Sequence, residues 1–346
     1  MPFEVTLQPS GNRFTVPEGA SILKAGHDAD IALPYSCRAG ACRTCRGRIV
    51  EGQIDHGHVH PLYLPLEERE QGYALLCQAQ PLSNLDIEVK ELDVTARIRS
   101  RVSPGRVMEM RRVAPDVMIV RIKLPMNEDV MFLAGQFVEF VLASGERRAY
   151  SIASAPSIDG VVSIELHVRH TPGGLFTDYV FDGMKVHDLV RMELPLGTFF
   201  LREDSDKPVV LLASGTGFAP MKSILTYAQQ KQLKRPVVLY WGGRTRADLY
   251  EMDWVERYAA ANEGFKFIPV LSDATPACGW NGRTGFVHRA VMQDLPNLSK
   301  YQVYACGAPI VIDSAKRDFA EQCGLPRQEF FADSFLDAGD LARARI

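Results

Sequence analysis

The chain has 346 residues, 46% of them apolar and 23% charged, with a formal net charge of −3. That length exceeds one ordinary domain, and the charge balance excludes nucleic-acid binding through a general cationic surface. Seven cysteines, an odd number, argue against a disulfide framework in a reducing compartment.

The opening stretch MPFEVTLQPSGNRFTVPEG alternates like a strand and lacks the apolar run of a signal peptide. The longest apolar run, VVLLA at 209–213, is far too short to span a bilayer. A cytoplasmic protein with no membrane or nucleic-acid partner is expected. FEVTL and RFTVP predict a hairpin around Pro9–Asn12, SILKAGHDA predicts a short helix capped by Ser21, and GRIVEG and NLDIEV predict two further strands.

Between these elements lies CRAGACRTC. Cys37, Cys42 and Cys45 are separated by four and two residues, and 31 more residues separate Cys45 from Cys77. This is the plant-type [2Fe-2S] spacing. Ala39, Gly40 and Ala41 are small enough for the loop to wrap closely and aim backbone N–H groups at sulfur. Structural zinc prefers paired CxxC knuckles, which Cys77 lacks, and a Rieske centre would need histidine ligands in Cys-x-His pairs. LPYSCRAGACRTC at 33–45, with the later LLCQA, resembles the plant-type ferredoxin domain, which implies a β-grasp-like fold over roughly residues 1–90. Arg38, Arg43, Arg46 and Arg48 crowd the loop, although residues 1–90 carry eight Lys/Arg against eleven Asp/Glu. Two readings stand side by side: a solvated rim, or a dock for an acidic electron acceptor near Arg38, Arg43 and Arg46. HGHVH at 56–60 places alternate histidines on one strand face, and a polar surface loop is preferred there over a metal site.

Residues 91–103, with Arg97, Arg99 and Arg101, read as a linker running into a strand. DVMIVRIKL, FVEFVL, RAYSIAS, VVSIELHVR and FFL then follow closely, which predicts an antiparallel barrel or sandwich, with one helix near LFTDYVFD. RRAYS at 147–151 resembles the flavin motif of the ferredoxin–NADP+ reductase superfamily. The resemblance implies Arg148 on a flavin phosphate, Tyr150 on the isoalloxazine face and Ser151 near N5. HVRHTPGGLFT at 167–177 matches the second flavin segment of that superfamily. His167 and Val168 lie on its strand, and the amides of Gly174, Leu175 and Phe176, with Thr177, are expected to face a pyrophosphate. Both pieces together favour FAD over FMN. His170 is expected to face solvent.

From residue 208 strands and helices alternate: PVVLLA, APMKSILTYAQQK, PVVLYW, DWVERYAAA, FKFIPVL, HRAVMQDL, YQVYAC and PIVIDSAKRDFAEQ. That rhythm predicts a doubly wound parallel sheet. GTGFAP at 215–220 is not the G-x-G-x-x-G fingerprint, because its sixth residue is proline. It resembles the GTGxAP form of the reductase superfamily, with Gly215, Thr216 and Gly217 at the coenzyme pyrophosphate and Pro220 suited to the first helical position. Arg244 and Arg246, past the second strand, would suit a 2′-phosphate. NADH is nevertheless the expected donor, with NADPH as the alternative. YACGAP at 304–309 resembles the CGxP motif and places Cys306 and Gly307 by the nicotinamide. Cys278 and Cys323 read as structural. FFADSF at 330–335 falls where the superfamily has its acid-x-aromatic end, so Asp333 joins Ser151 and Cys306 in hydride transfer and Phe335 covers the flavin. Asp and Phe stand where superfamily members often have Glu and Tyr, and the tail LDAGDLARARI has no assigned role.

The expected fold class is multidomain α/β plus β: a β-grasp-like ferredoxin domain over 1–92, an antiparallel flavin barrel over 93–203 and a nicotinamide domain over 204–346. The order resembles the reductase components of multicomponent oxygenases, of the phenol hydroxylase type, and the CDP-6-deoxy-glucoseen reductase group. It implies a monomeric NAD(P)H-dependent oxidoreductase holding FAD and a [2Fe-2S] cluster. Its partner would be a terminal oxygenase or a dehydrase. Other readings are a redox-sensing ferredoxin-type carrier and a flavin oxidase or diaphorase without a dedicated partner.

Overall fold

The computed structural model describes residues 2–92, 98–126, 130–157, 160–275 and 278–336. Arg97 of the expected linker, and all of the tail beyond Leu336, lie outside the described residues. The chain divides into two compact units, residues 1–99 with 197–199 and 336–346, and residues 100–196 with 200–335.

The first unit is a mixed five-stranded sheet. β1 (Phe3–Gln8) and β2 (Arg13–Val16) form the expected hairpin, then come β3 (Arg46–Glu51), the short β4 (Ile54–Asp55), β5 (Tyr73–Leu75), the short β6 (Gln80–Pro81) and β7 (Leu85–Glu88). The main sheet runs β2-β1-β7-β3-β5, with β1 and β7 parallel. Alternation buries Val5, Leu7, Phe14, Val16, Leu85 and Ile87 on one face. Helix α1 (Ile22–Asp28) closes that face, and Ser21 Oγ accepts the Lys24 amide at 3.4 Å, as its sequence position predicts. The helix does more than cover the core. Its first amides donate to the carbonyls of Leu76 and Ala79, which flank the Cys77 turn, at 2.9 and 3.0 Å. A second helix, α2 (Leu66–Glu70), has no counterpart in the sequence reading. Leu336 packs onto the same core.

The second unit joins a barrel to a parallel sheet. β8 (Arg101–Ala114), β9 (Val117–Lys123), β10 (Phe137–Val141), β11 (Arg147–Ser151), β12 (Ser163–Arg169) and β13 (Leu189–Leu196) pair antiparallel in the order β11-β10-β13-β8-β9-β12. A bridge between Ile152 and Leu166 brings the two edges together, which closes the barrel. On β12, Ile164, Leu166 and Val168 point into the barrel core, so Glu165, His167 and Arg169 point away from it. The helix expected near LFTDYVFD is only α3 (Leu175–Asp178), which widens into a π turn over Tyr179–Gly183 where Met184 N–H reaches Tyr179 O.

In the parallel sheet, β14 (Val209–Ser214), β15 (Val237–Gly243), β16 (Phe265–Leu271), β17 (Arg283–Thr284), β18 (Gln302–Gly307) and β19 (Phe330–Ser334) take the order β17-β16-β15-β14-β18-β19. Helices α6 (Val287–Asp294) and α7 (Pro309–Gln322) cover the face that carries Val210, Leu212 and Tyr240. Helix α4 (Phe218–Gln230) lies on the other, where Phe218 stacks on Trp241 at 4.1 Å. Helix α5 (Met252–Ala261) follows β15. Pro220 is the third residue of α4, not the first, because a 3₁₀ turn over Gly215–Gly217 precedes Phe218. Proline is still tolerated there, since the first four helical amides have no intrahelical acceptor.

Candidate functional site

The cysteine loop is built around left-handed backbone at Arg38, Gly40 and Arg43, with φ of 53°, 77° and 64°. These turns aim amides at sulfur: Ala39 N–H and Cys42 N–H reach Cys37 Sγ at 3.3 Å each, and Cys37 N–H reaches Cys42 Sγ at 3.4 Å. The thiols interact in two pairs. A hydrogen bond from Cys37 holds Cys42 down to about 5, and Cys45 likewise lowers Cys77. Among the described residues no three His, Cys, Asp or Glu side chains converge as a single metal ion requires. Four cysteine sulfurs, two of them met by backbone amides, are what would hold a [2Fe-2S] cluster here.

The loop's surroundings differ from the sequence expectation. Arg43 donates to both carboxylate oxygens of Glu68, at 2.5 and 2.6 Å. Arg46 lies 3.5 Å from the same carboxylate and 3.7 Å above the Tyr73 ring, and Arg48 lies 3.6 Å from Glu88. Glu68 sits on α2 beside Glu67 and Glu70, so the rim near the cluster is mixed in charge rather than cationic. Arg38 is exposed, 5.7 Å from the Tyr35 ring. The HGHVH segment is not a free polar loop either. Val59 is buried against Gly40, Gly57 abuts the Gln78 carbonyl, and Arg69 donates to Val59 O at 2.6 Å.

The flavin candidates gather on β11 and the turn after β12. Arg148 is partly exposed and near Glu146. Tyr150 packs at 5.8 Å from Phe140 and 5.2 Å from Phe176, and burial pushes its hydroxyl pKa well up. The turn after β12 spends several of its polar groups on itself. Gly174 N–H donates to Thr171 O at 2.8 Å, and Thr177 Oγ1 donates to the same oxygen at 2.9 Å. A Cβ on Gly174 would lie 2.5 Å from Thr177 Oγ1. Those two groups are therefore committed within the turn. His170 does not face solvent alone: it stacks on Phe181 at 4.8 Å and bonds Asp178 at 2.8 Å. Val168 points into the barrel core, and His167 is fully enclosed between Tyr250 and Glu165, at 2.8 and 3.1 Å. Only their backbone is left for a flavin.

The nicotinamide candidates meet backbone to backbone. A Cβ on Gly217 would lie 2.0 Å from Cys306 O, and one on Gly307, whose φ is 136°, would lie 2.6 Å from Ser214 O. Gly215 has φ of 54°, and Trp241 Nε1 clamps its carbonyl at 2.9 Å. Thr216 is buried in this turn, and Phe335 N–H donates to Gly307 O at 2.9 Å. Cys306 and Asp333 are register partners on β18 and β19. Burial pushes the Cys306 thiol well up and Asp333 adds to this, while the Gly307 amide and the Ser151 hydroxyl act the other way. Ser151, Cys306 and Asp333, from three distant stretches, thus converge, and all three are buried. Ser151 Oγ has no partner at ordinary hydrogen-bond geometry among the described residues. An orphaned hydroxyl in a buried acid–thiol group fits a polar ligand atom such as a flavin ring nitrogen. Arg244 has an exposed side chain, and its amide donates to Asp248 at 3.1 Å.

Sequence reasoning missed Glu165, Arg169, Lys222 and Glu251, and it read Asp248 and Tyr250 only as part of DLY at 248–250, where the adenosine ribose was expected. Lys222 Nζ reaches Glu165 at 2.8 Å and Glu251 at 3.1 Å, and Arg111 reaches Glu251 at 3.0 Å. Burial pushes the Glu165 carboxyl up, but His167 and Lys222 outweigh it and the net direction is down. The available signal was Glu165-x-His167-x-Arg169, three polar residues on one strand face where a barrel exterior meets another layer.

Three family descriptions match the chain in this order: a 2Fe-2S iron-sulfur cluster binding domain over residues 5–82, an oxidoreductase FAD-binding domain over 104–201 and an oxidoreductase NAD-binding domain over 211–317. The chain is 37% identical over 338 residues to a CDP-6-deoxy-L-threo-D-glycero-4-hexulose-3-dehydrase reductase of Yersinia pseudotuberculosis, covering 97% of this chain and 99% of the relative. It is 34% identical to a terephthalate 1,2-dioxygenase reductase component of Comamonas sp., covering 97% and 98%. The crystal structure of the Amycolatopsis cytochrome P450 reductase GcoB superposes with a TM-score of 0.77 at 34% identity, over 97% of this chain and 99% of that one. With the cysteine loop, the closed barrel and the parallel sheet in this order, the chain belongs to the family of electron-transfer reductases that carry a [2Fe-2S] cluster, FAD and a nicotinamide-coenzyme site on one polypeptide.

Proposed function

We propose that the protein takes electrons from NADH and delivers them through the cluster to a separate terminal oxygenase. The carrying observation is the convergence of Ser151, Cys306 and Asp333 where the barrel and the parallel sheet meet. FAD held there would accept a two-electron hydride and supply electrons singly to the [2Fe-2S] cluster. The chain's own residues orient that exchange. Ser151 and Arg148 would hold the flavin and Tyr150 would pack its ring. Gly215, Thr216 and Gly217 would receive the coenzyme diphosphate. Cys306 and Asp333 would line the nicotinamide position, and Cys37, Cys42, Cys45 and Cys77 would ligate iron.

The oxygenase partner is favoured by the dioxygenase reductase relative, and a sugar-dehydrase partner by the Yersinia relative. Docking centres on Arg38, with Arg43 and Arg46 held in place by Glu68. A monomer in the cytoplasm suits a soluble shuttle of this kind, and no helix among the described residues is long and apolar enough to cross a membrane.

Anaerobic titration with NADH tests the reading: flavin absorbance bleaches first and cluster absorbance follows in stoichiometric steps. Cytochrome c reduction with NADH and NADPH in parallel tests coenzyme choice. A flavin that NADH does not reduce, or one whose electrons never reach the cluster, would sink the proposal.

A further inference from the structure

β12 carries three polar side chains on the face opposite the barrel core, and each is committed to the nicotinamide half. Glu165 meets Lys222, His167 meets Tyr250 and Arg169 meets Asp248. The third contact is unlike the others. Arg169 Nη1 donates to Asp248 Oδ1 at 2.6 Å and lies 3.1 Å from Asp116. Its Nε and Nη2 are buried without a partner among the described residues. They lie flat against the Gly215 turn: a Cβ on Gly215 would meet Nη2 at 3.4 Å and Nε at 3.8 Å. Two buried guanidinium nitrogens without a partner are costly. The retention of Arg169 beneath a glycine turn points to a role beyond cohesion.

Asp248 completes the arrangement. Its second oxygen accepts the amides of Arg244 and Thr245 at 3.1 and 2.9 Å. Burial pushes its carboxyl up, but the Thr245 amide and Arg169 more than offset that, and the net direction is down. One ionised carboxylate therefore ties the loop after β15 to Arg169, and Arg169 underlies the turn after β14.

We propose that the Arg169–Asp248 pair positions the nicotinamide coenzyme: a barrel strand sets the height and spacing of the two loops, 215–217 and 244–245, that receive the dinucleotide. Hydride transfer requires reacting atoms at about 3–3.5 Å. The flavin belongs to the barrel and the coenzyme loops to the sheet, so a rigid tie between them controls that distance. This rests on the reading that residues 215–217 take the coenzyme.

The test uses the flavin- and cluster-loaded protein, with ADP-ribose binding by calorimetry and flavin reduction by NADH in stopped flow. Arg169→Gln removes the cation. Asp248→Asn removes the charge but keeps an oxygen for the two amides. Each is expected to weaken ADP-ribose about tenfold and to slow flavin reduction at saturating NADH by about tenfold or more. Flavin content should stay at the wild-type level, Arg169→Lys should recover part of both losses, and the double variant should be no worse than the poorer single one. ADP-ribose affinity and saturating rate both within about twofold of wild type in either single variant, or additive losses in the double, overturn the proposal. If Arg169→Gln loses its flavin, Asp248→Asn decides by the same comparison. If the wild-type protein binds no ADP-ribose, the assignment of residues 215–217 fails and takes this inference with it.

Discussion

Gly217→Ala is the sharpest single perturbation of the proposed nicotinamide site. The added Cβ would lie 2.0 Å from Cys306 O, 2.5 Å from Cys306 C and 2.8 Å from Gly307 N. All three are backbone atoms of a fully buried strand end, so no side chain can rotate away. An ordinary carbon–oxygen contact is a little over 3 Å, so the turn must retreat from β18 by about 1 Å. Overpacking of this kind typically costs about 1–3 kcal/mol of stability. The functional loss is expected to be larger. A displacement of about 1 Å at a reacting centre can cost ~10²-fold in rate, and the shift separates the GTG turn from the Cys306–Gly307 turn opposite. The measurement is the anaerobic stopped-flow rate of flavin reduction by NADH, with flavin content and dithionite reduction of the cluster as controls. A rate loss of about 100-fold with both controls normal is expected. Full flavin content with a rate within about threefold of wild type would refute the steric reasoning.

Other perturbations separate the parts of the path. Cys77→Ser removes a proposed cluster ligand, so visible cluster absorbance and cytochrome c reduction should be lost while NADH still bleaches the flavin; retained cluster absorbance would remove Cys77 from the ligand set. Glu68→Gln leaves Arg43 and Arg46 without their shared carboxylate, and both guanidinium groups are largely buried. It should lower stability by about 1–3 kcal/mol, read by thermal melting, and an unchanged melting temperature would make the contact ornamental. Acid should destabilise the protein through its buried and half-buried histidines. Burial lowers the pKa of His27, His56, His167 and His288 in the folded state. The unfolded chain therefore binds more protons below about 6.5, so stability is full above that pH and falls as pH drops toward the folded-state values. Melting followed from pH 8 to pH 5 should show this decline, and a flat profile would contradict it.

The iron-sulfur domain, the Ser21 cap, the Pro9–Asn12 hairpin and the βα rhythm after residue 208 were legible because each is a local pattern. A ligand spacing, a capping hydroxyl and a period of two or 3.6 residues need only neighbours along the chain. The charge around the cluster was not legible. Four arginines between the ligands read as a cationic rim, yet Glu68, more than twenty residues beyond Arg43, folds back onto two of them. Thr177 read as a phosphate ligand, but its hydroxyl closes its own turn onto Thr171. His167 read as part of a flavin strand, but strand alternation turns its ring toward Tyr250.

The sequence by itself determined which cofactors this chain is built to hold and in what order, because their ligands and glycine turns are short covalent patterns. The grouping of Ser151, Cys306 and Asp333 was expected from the family resemblance alone; their physical meeting depends on tertiary structure, since they stand on β11, β18 and β19 and are joined by barrel closure and strand order. Only the tertiary structure decided that Arg169, a barrel residue, supports Gly215 and grips Asp248. Contacts of that kind depend on which strand faces lie against each other, and side-chain pairing across such a junction leaves no periodicity in the chain to read.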